Sequence, residues 1–290
     1  ILFPRACRMF FGKLKSRESA DGVSPFQALC TALAATIGTG NIVGVAGAIS
    51  LGGPGSVFWM WISALLGMCT KFAEVTLAVH FRERNDKGDY VGGPMYYITK
   101  GLGKGWKWLA AVFAVFGALA AFGIGNMTQI NTIASTVTNA VNTIAGGNLG
   151  EAILAALPWV ISIICAIICA IVLLGGIQRL ADVCGLLVPV MAVIYIVAAA
   201  GLIIFRIGDV PAVFGAIFKG AFNPSAVVGG AVGIGIKTAL TKGVGRGIFS
   251  NEAGLGSAPI AHAAADVEHP VQQGIFGVFE VFMDTIVVCT

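Results

Sequence analysis

Of the 290 residues, 57% are hydrophobic and only 11% are charged, whereas an ordinary soluble domain is about 25% charged. That balance excludes a soluble enzyme and a disordered chain, and makes the lipid bilayer the expected environment. The net charge of +4 is too small for a nucleic-acid footprint, so no nucleic-acid partner is expected.

A spanning helix needs roughly 20 apolar residues. The apolar segments predict seven spans, roughly 25–49, 55–81, 106–140, 152–175, 181–205, 225–245 and 273–290. The chain opens on Ile1 and stops at Thr290 inside an apolar run, which reads as a fragment cut at both ends, with no signal peptide. Ahead of the first span lie Arg5, Arg8, Lys13, Lys15 and Arg17. The break at Gly52 to Gly55 carries no cation, and the loop 82–107 carries Arg82, Arg84, Lys87, Lys100, Lys104 and Lys107. Further on, 141–151 carries none, Arg179 precedes the fifth span, and 237–270 is read as a loop with Lys237, Lys242 and Arg246. Basic loops alternate, so the leading segment is placed in the cytoplasm. Arg206 and Lys219 are the exception, in a stretch (207–224, with Phe214, Phe218 and Phe222) that reads as an interfacial amphipathic piece rather than a span.

Within the first span, Gly38-Thr39-Gly40-Asn41 interrupts an apolar helix. Inside a membrane a backbone break is tolerated only where it faces protein or a water-filled cavity. It frees N–H groups that suit an anion and carbonyls that suit a cation. A second reading is close helix packing, since Gly40, Gly44 and Ala48 form a small-xxx-small face. In the second span, Lys71 and Glu74 are one turn apart and read as a local pair or a snorkelling lysine. The third span holds Gly123, Gly125, Asn126, Gln129 and Asn131, a polar cluster that needs a cavity or a neighbouring helix. Gln129 offers both a donor and an acceptor to a zwitterion.

The sixth span carries a run of similar kind, Gly229-Gly230-Ala231-Val232-Gly233-Ile234-Gly235, five spans after the first. Matching interruptions in two halves are the sequence pointer to a transporter site. The polar segment 249–259 reads as a cytoplasmic hinge or gate, and His262 and His269 after it do not make a metal site. In the last span Asp284, with Glu280 one turn earlier, is an intramembrane carboxylate suited to an ion or a proton. Cys30, Cys69, Cys165, Cys169, Cys184 and Cys289 read as small packing residues.

The run from Gly52-Gly53-Pro54-Gly55 through Trp59-Met60-Trp61 to Gly67 resembles the signature of the sodium:alanine symporter family, also called the alanine or glycine:cation symporter family. The segments Ser24–Leu29, Gly92-Gly93-Pro94-Met95-Tyr96-Tyr97 and Arg246–Gly254 agree with it. The resemblance covers roughly residues 22–290. It implies a multi-pass inner-membrane transporter of the amino acid–polyamine–organocation superfamily. Its fold would be all-α, an inverted five-helix repeat with broken first and sixth helices. The first repeat would run over about 25–205 and the start of the second over about 225–290, within one domain of 1–290. The function implied is sodium-coupled symport of a small neutral amino acid, alanine or glycine, and no enzymatic activity. A proton-coupled permease, a passive channel and a non-transporting amino-acid sensor are the alternatives.

Carried onto this sequence, the amino acid's carboxylate would meet N–H groups near Thr39, Gly40 and Asn41. Its ammonium would meet carbonyls near Gly229, Gly230 and Gly233, with Gln129 close by. Sodium, the coupling ion, would use the carbonyls of Ala34 and Ile37, oxygens at Thr36 and Asn41, and Asp284.

Overall fold

The computed structural model describes residues 23–147, 149–222 and 235–290, together with Arg8 and Gly12. Helix α1 (Pro25–Thr36) starts where the sequence caps it. The Ser24 hydroxyl accepts from Gln27 N at 3.2 Å, while the Gln27 side chain accepts from Ser24 N at 3.0 Å, and Pro25 opens the helix. This reciprocal cap satisfies two otherwise orphaned donors. The chain then bends at Ile37–Thr39, passes through a π-turn (Gly40–Gly44) and resumes as α2 (Val45–Gly52). The two halves meet at 52°.

Helix α3 (Gly55–His80) is followed by a hairpin of β1 (Glu83–Arg84) with β2 (Tyr90–Val91) and by the short α4 (Pro94–Gly101). Next come α5 (Lys107–Ala120), a π-turn (Ala121–Met127) and α6 (Thr128–Ile144), then α7 (Glu151–Leu173), α8 (Gly176–Phe205) and α9 (Val210–Phe222). Finally α10 (Ile236–Asn251), α11 (Ser257–Ala263) and α12 (Pro270–Val281) lead into a last π-turn (Phe282–Val288). Among the described residues, five helical stretches are long and apolar enough to cross a membrane, and six if the bent α1–α2 pair counts as one span. The protein is an all-α polytopic membrane protein.

Six of the seven expected spans fall on these helices within a few residues. The exception is 225–245. Residues 225–234 lie outside the described residues, and α10 runs on to Asn251. Lys237, Lys242 and Arg246 are therefore helical and not loop cations. The stretch expected at a membrane interface forms α9, whose Phe214, Phe218 and Phe222 pack on α3. Phe58 meets Phe218 and Phe222 at 5.7 and 5.2 Å between ring centroids, and Trp61 meets Phe214 at 6.1 Å.

Helix α3 is the hub, with α9, α10, α11 and α12 packed along it. Small residues make the α3–α10 approach close. A methyl on Gly247 would lie 3.0 Å from both side-chain atoms of Ser63. Gly247→Leu is expected to destabilise the protein by about 1–3 kcal/mol through overpacking. Thermal unfolding in detergent checks this, and an unchanged midpoint would show that α10 has slack here. The apolar core proper lies between α1, α8 and α12, where Leu29, Cys30 and Leu33 meet Cys184, Val188 and Phe276.

Candidate functional site

The bend after α1 unties the backbone. In a continuing helix Gly38 N–H would bond the Ala34 carbonyl, but it donates to Asn41 Oδ1 at 2.8 Å. Asn41 N–H turns to the Gly38 carbonyl at 3.2 Å, not to that of Ile37. Thr39 N–H and its hydroxyl both donate to Gln129 Oε1, at 3.3 and 3.0 Å. Thus α6 reaches the break through one side chain of the polar cluster. Asn126 instead bonds its own helix at Ala121 O, and Asn131 is exposed. Thr36 is buried, with its hydroxyl turned back to the Ala32 and Leu33 carbonyls at 3.5 Å each, and Ala34 is exposed.

Asn41 is the centre of the arrangement and is only 2% exposed. Its amide nitrogen donates to Asp284 Oδ1 at 2.6 Å and to Ser250 Oγ at 3.0 Å, with Cys289 Sγ at 3.3 Å. The other Asp284 oxygen accepts from Thr285 Oγ1 at 2.8 Å, and Asn251 Nδ2 donates to Thr285 Oγ1 at 3.1 Å. One side chain therefore joins three segments: the first break, the end of α10, and the π-turn after α12. Asn41 and Asp284 each sit on a π-turn, a distortion found frequently at functional sites. Asp284, Ser250 and Thr285 bring hard oxygen donors around one buried point, with the Asn41 amide nitrogen bonded to Asp284 and Ser250 there. That is the donor chemistry of a hard cation rather than of a soft metal.

The structure also shows a second break, just after Ser250. Helix α10 stops at Asn251, and Glu252 takes a left-handed backbone conformation (φ 52°). Gly254 and Gly256 follow with φ 91° and 81° before α11 resumes at Ser257. Asn251 Oδ1 accepts from Ala253 N at 3.0 Å, and Gly254 N–H donates to Glu74 on α3 at 3.0 Å. The segment read as a hinge is a helix break held on both sides. Gly229, Gly230 and Gly233 lie outside the described residues.

Behind Asp284, one turn back on α12, a charged network is shut off from solvent. Lys71, Glu280, His262 and Gln273 are all 0% exposed. Lys71 Nζ lies 3.3 Å from Glu280 Oε1, and His262 Nε2 lies 3.1 Å from Glu280 Oε2. The Gln273 amide nitrogen, which can only donate, sits 2.7 Å from His262 Nδ1, so the other ring nitrogen carries the proton facing Glu280. Gln273 also donates to Pro25 O at 3.3 Å, which ties the network to the start of α1. Lys71 neither pairs locally with Glu74 nor snorkels. A buried ammonium needs a close counter-charge, and Glu280 supplies it across the helix interface.

Sequence reading missed Ser250, Thr285, Cys289 and the Lys71 partnership. Ser250 stood within a quoted motif and Thr285 beside a named carboxylate, but neither stands out as polar residues in an apolar span do. The Gly40-xxx-Gly44 face, offered as a helix contact, packs on α10 and makes room there for the guanidinium of Arg246. A methyl on Gly40 would sit 2.5 Å from its Nη2, and one on Gly44 would overlap its Nη2, Cζ and Nε.

The family model described as the sodium:alanine symporter family matches residues 1–290. The chain is 49% identical over 290 residues to the sodium/alanine symporter AgcS of Methanococcus maripaludis, covering 99% of this chain and 60% of that protein. It is 43% identical over 273 residues to the probable sodium/glutamine symporter GlnT of Bacillus subtilis, covering 94% and 53%. It is 41% identical over 282 residues to the putative sodium/proton-dependent alanine carrier protein YrbD of Bacillus subtilis, covering 97% and 54%. The chain spans about six-tenths or less of the length of these relatives.

Proposed function

The chain belongs to the sodium:alanine symporter family, a family of transporters and not of enzymes, and from that premise we propose that it forms most of a sodium-driven importer of a small neutral amino acid. The protein would sit in the cell membrane with its leading segment on the cytoplasmic side, in an inverted five-helix repeat. The observation that carries this reading is the meeting at Asn41 of the first helix break, Ser250 in the last turn of α10 and the buried Asp284 carboxylate. Sodium would bind at Asp284, Ser250 and Thr285, with the Asn41 amide holding the Asp284 carboxylate in place and the Ala34 and Ile37 carbonyls released by the bend. The ammonium would meet carbonyls near Gly229, Gly230 and Gly233, or those freed where α10 ends after Ser250, the residue that bonds Asn41. The carboxylate would meet the Thr39–Asn41 backbone beside Gln129. Alanine or glycine is the substrate favoured, in keeping with the alanine named for AgcS, to which the chain is 49% identical.

The test is radiolabelled alanine uptake by the full-length protein in proteoliposomes, with and without an inward sodium gradient at fixed pH. Accumulation above equilibrium only with sodium is the expected result. Equal uptake with sodium or choline outside would overturn sodium coupling, and accumulation that follows a proton gradient would assign Asp284 a proton instead. Preferential uptake of glutamine would overturn the small-substrate reading.

A further inference from the structure

Arg246 is a polar group at the first break that none of the roles above uses. It projects from α10 one turn before Ser250 and lies along the Gly40–Gly44 π-turn. Its Cζ sits 4.7 Å from the centre of the Phe249 ring. Two of its nitrogens, Nε and Nη2, are shielded from solvent and have no hydrogen-bond partner among the described residues. A shielded guanidinium edge without acceptors is costly to maintain. Those two nitrogens are also the pair whose N–H groups point the same way, forming the side-on fork that grips a carboxylate with two parallel hydrogen bonds. The guanidinium lies against the first break, where Gly40 and Gly44 leave it the room a side chain would take. Asp284 and Cys289 lie within electrostatic reach of the guanidinium.

We propose that Arg246 is the side-chain anchor for the carboxylate of the transported amino acid. This rests on reading the Asn41 break as an amino-acid site. The anchor also gives sodium and substrate a reason to bind together. With sodium on Asp284, the carboxylate there no longer compensates Arg246, and the guanidinium attracts a second carboxylate more strongly. Each ligand then raises the affinity of the other by the same factor.

The experiment uses the full-length transporter in proteoliposomes and compares alanine with alaninol, which keeps the ammonium and the methyl group but lacks the carboxylate. Arg246→Gln is expected to raise the KM for alanine by about 10- to 100-fold, the loss of a charged hydrogen-bonded pair. It should leave inhibition by alaninol unchanged and should not weaken sodium binding in the absence of amino acid, since a cation near Asp284 is removed, and Arg246→Lys should fall between. A second readout needs no variant. In the wild-type protein alanine, but not alaninol, should protect Arg246 from modification by phenylglyoxal. A wild-type KM in Arg246→Gln, or Arg246 modified equally with and without alanine, would overturn the anchor. Absence of sodium-driven uptake in the wild type would instead overturn the proposed function, and the protection experiment would still report on Arg246.

Discussion

Replacing Asn41 with alanine should raise the sodium concentration that half-saturates alanine uptake by about 10- to 100-fold. The magnitude follows from the hydrogen bonds lost. A bond to a charged group contributes about 1.5–3 kcal/mol, and each 1.4 kcal/mol is a factor of ten. Asn41 Nδ2 makes a 2.6 Å bond to the fully buried Asp284, and its Oδ1 holds the Gly38 N–H in the bend. Alanine removes both ends of that link. The bend itself, with its glycines and the Thr39–Gln129 bonds, remains, so membrane insertion and folding should be retained. Asp284→Asn keeps the shape and removes the charge, and should lose sodium dependence more completely. Uptake with wild-type sodium dependence in Asn41→Ala would remove Asn41 from the ion site.

The second large effect concerns Lys71 and Glu280. Both are 0% exposed and lie 3.3 Å apart. Removing one member of a buried pair leaves the other charge uncompensated, which costs about 3–5 kcal/mol, whereas removing both costs far less. Lys71→Met and Glu280→Gln are therefore each expected to lower the thermal unfolding midpoint strongly. The double variant should be more stable than either single one, even though His262 would then face a neutral amide. Additive losses in the double variant would show that the two side chains contribute independently. The pair joins α3 to α12 within one turn of Asp284, so it fixes the helix that carries the ion-site carboxylate.

Much of the architecture was legible because a bilayer leaves so few options. Runs of apolar residues set the spans, and any polar residue inside one must have a partner. That rule singled out Asn41, Gln129 and Asp284, and the structure brings Asn41 directly onto Asp284 and Gln129 onto Thr39. The second break was harder to find, since glycine density drew attention to 229–235. The turn described in the structure begins with Glu252, a residue whose left-handed conformation no composition signal announces. Lys71 was misread for a related reason. Glu74 is its neighbour in sequence, but its partner Glu280 is 209 positions away. Arg246 was counted among loop cations because its helix extends past the apolar run, which places a charge where periodicity and hydropathy predict none.

The central claim is that sodium is held where Asn41, Ser250 and Asp284 meet. Equilibrium binding of radioactive sodium to the purified full-length protein, wild type beside Asp284→Asn, tests it most directly. Saturable binding that is lost with the Asp284 charge and is strengthened by alanine is the predicted result. Binding to Asp284→Asn with wild-type affinity would contradict it.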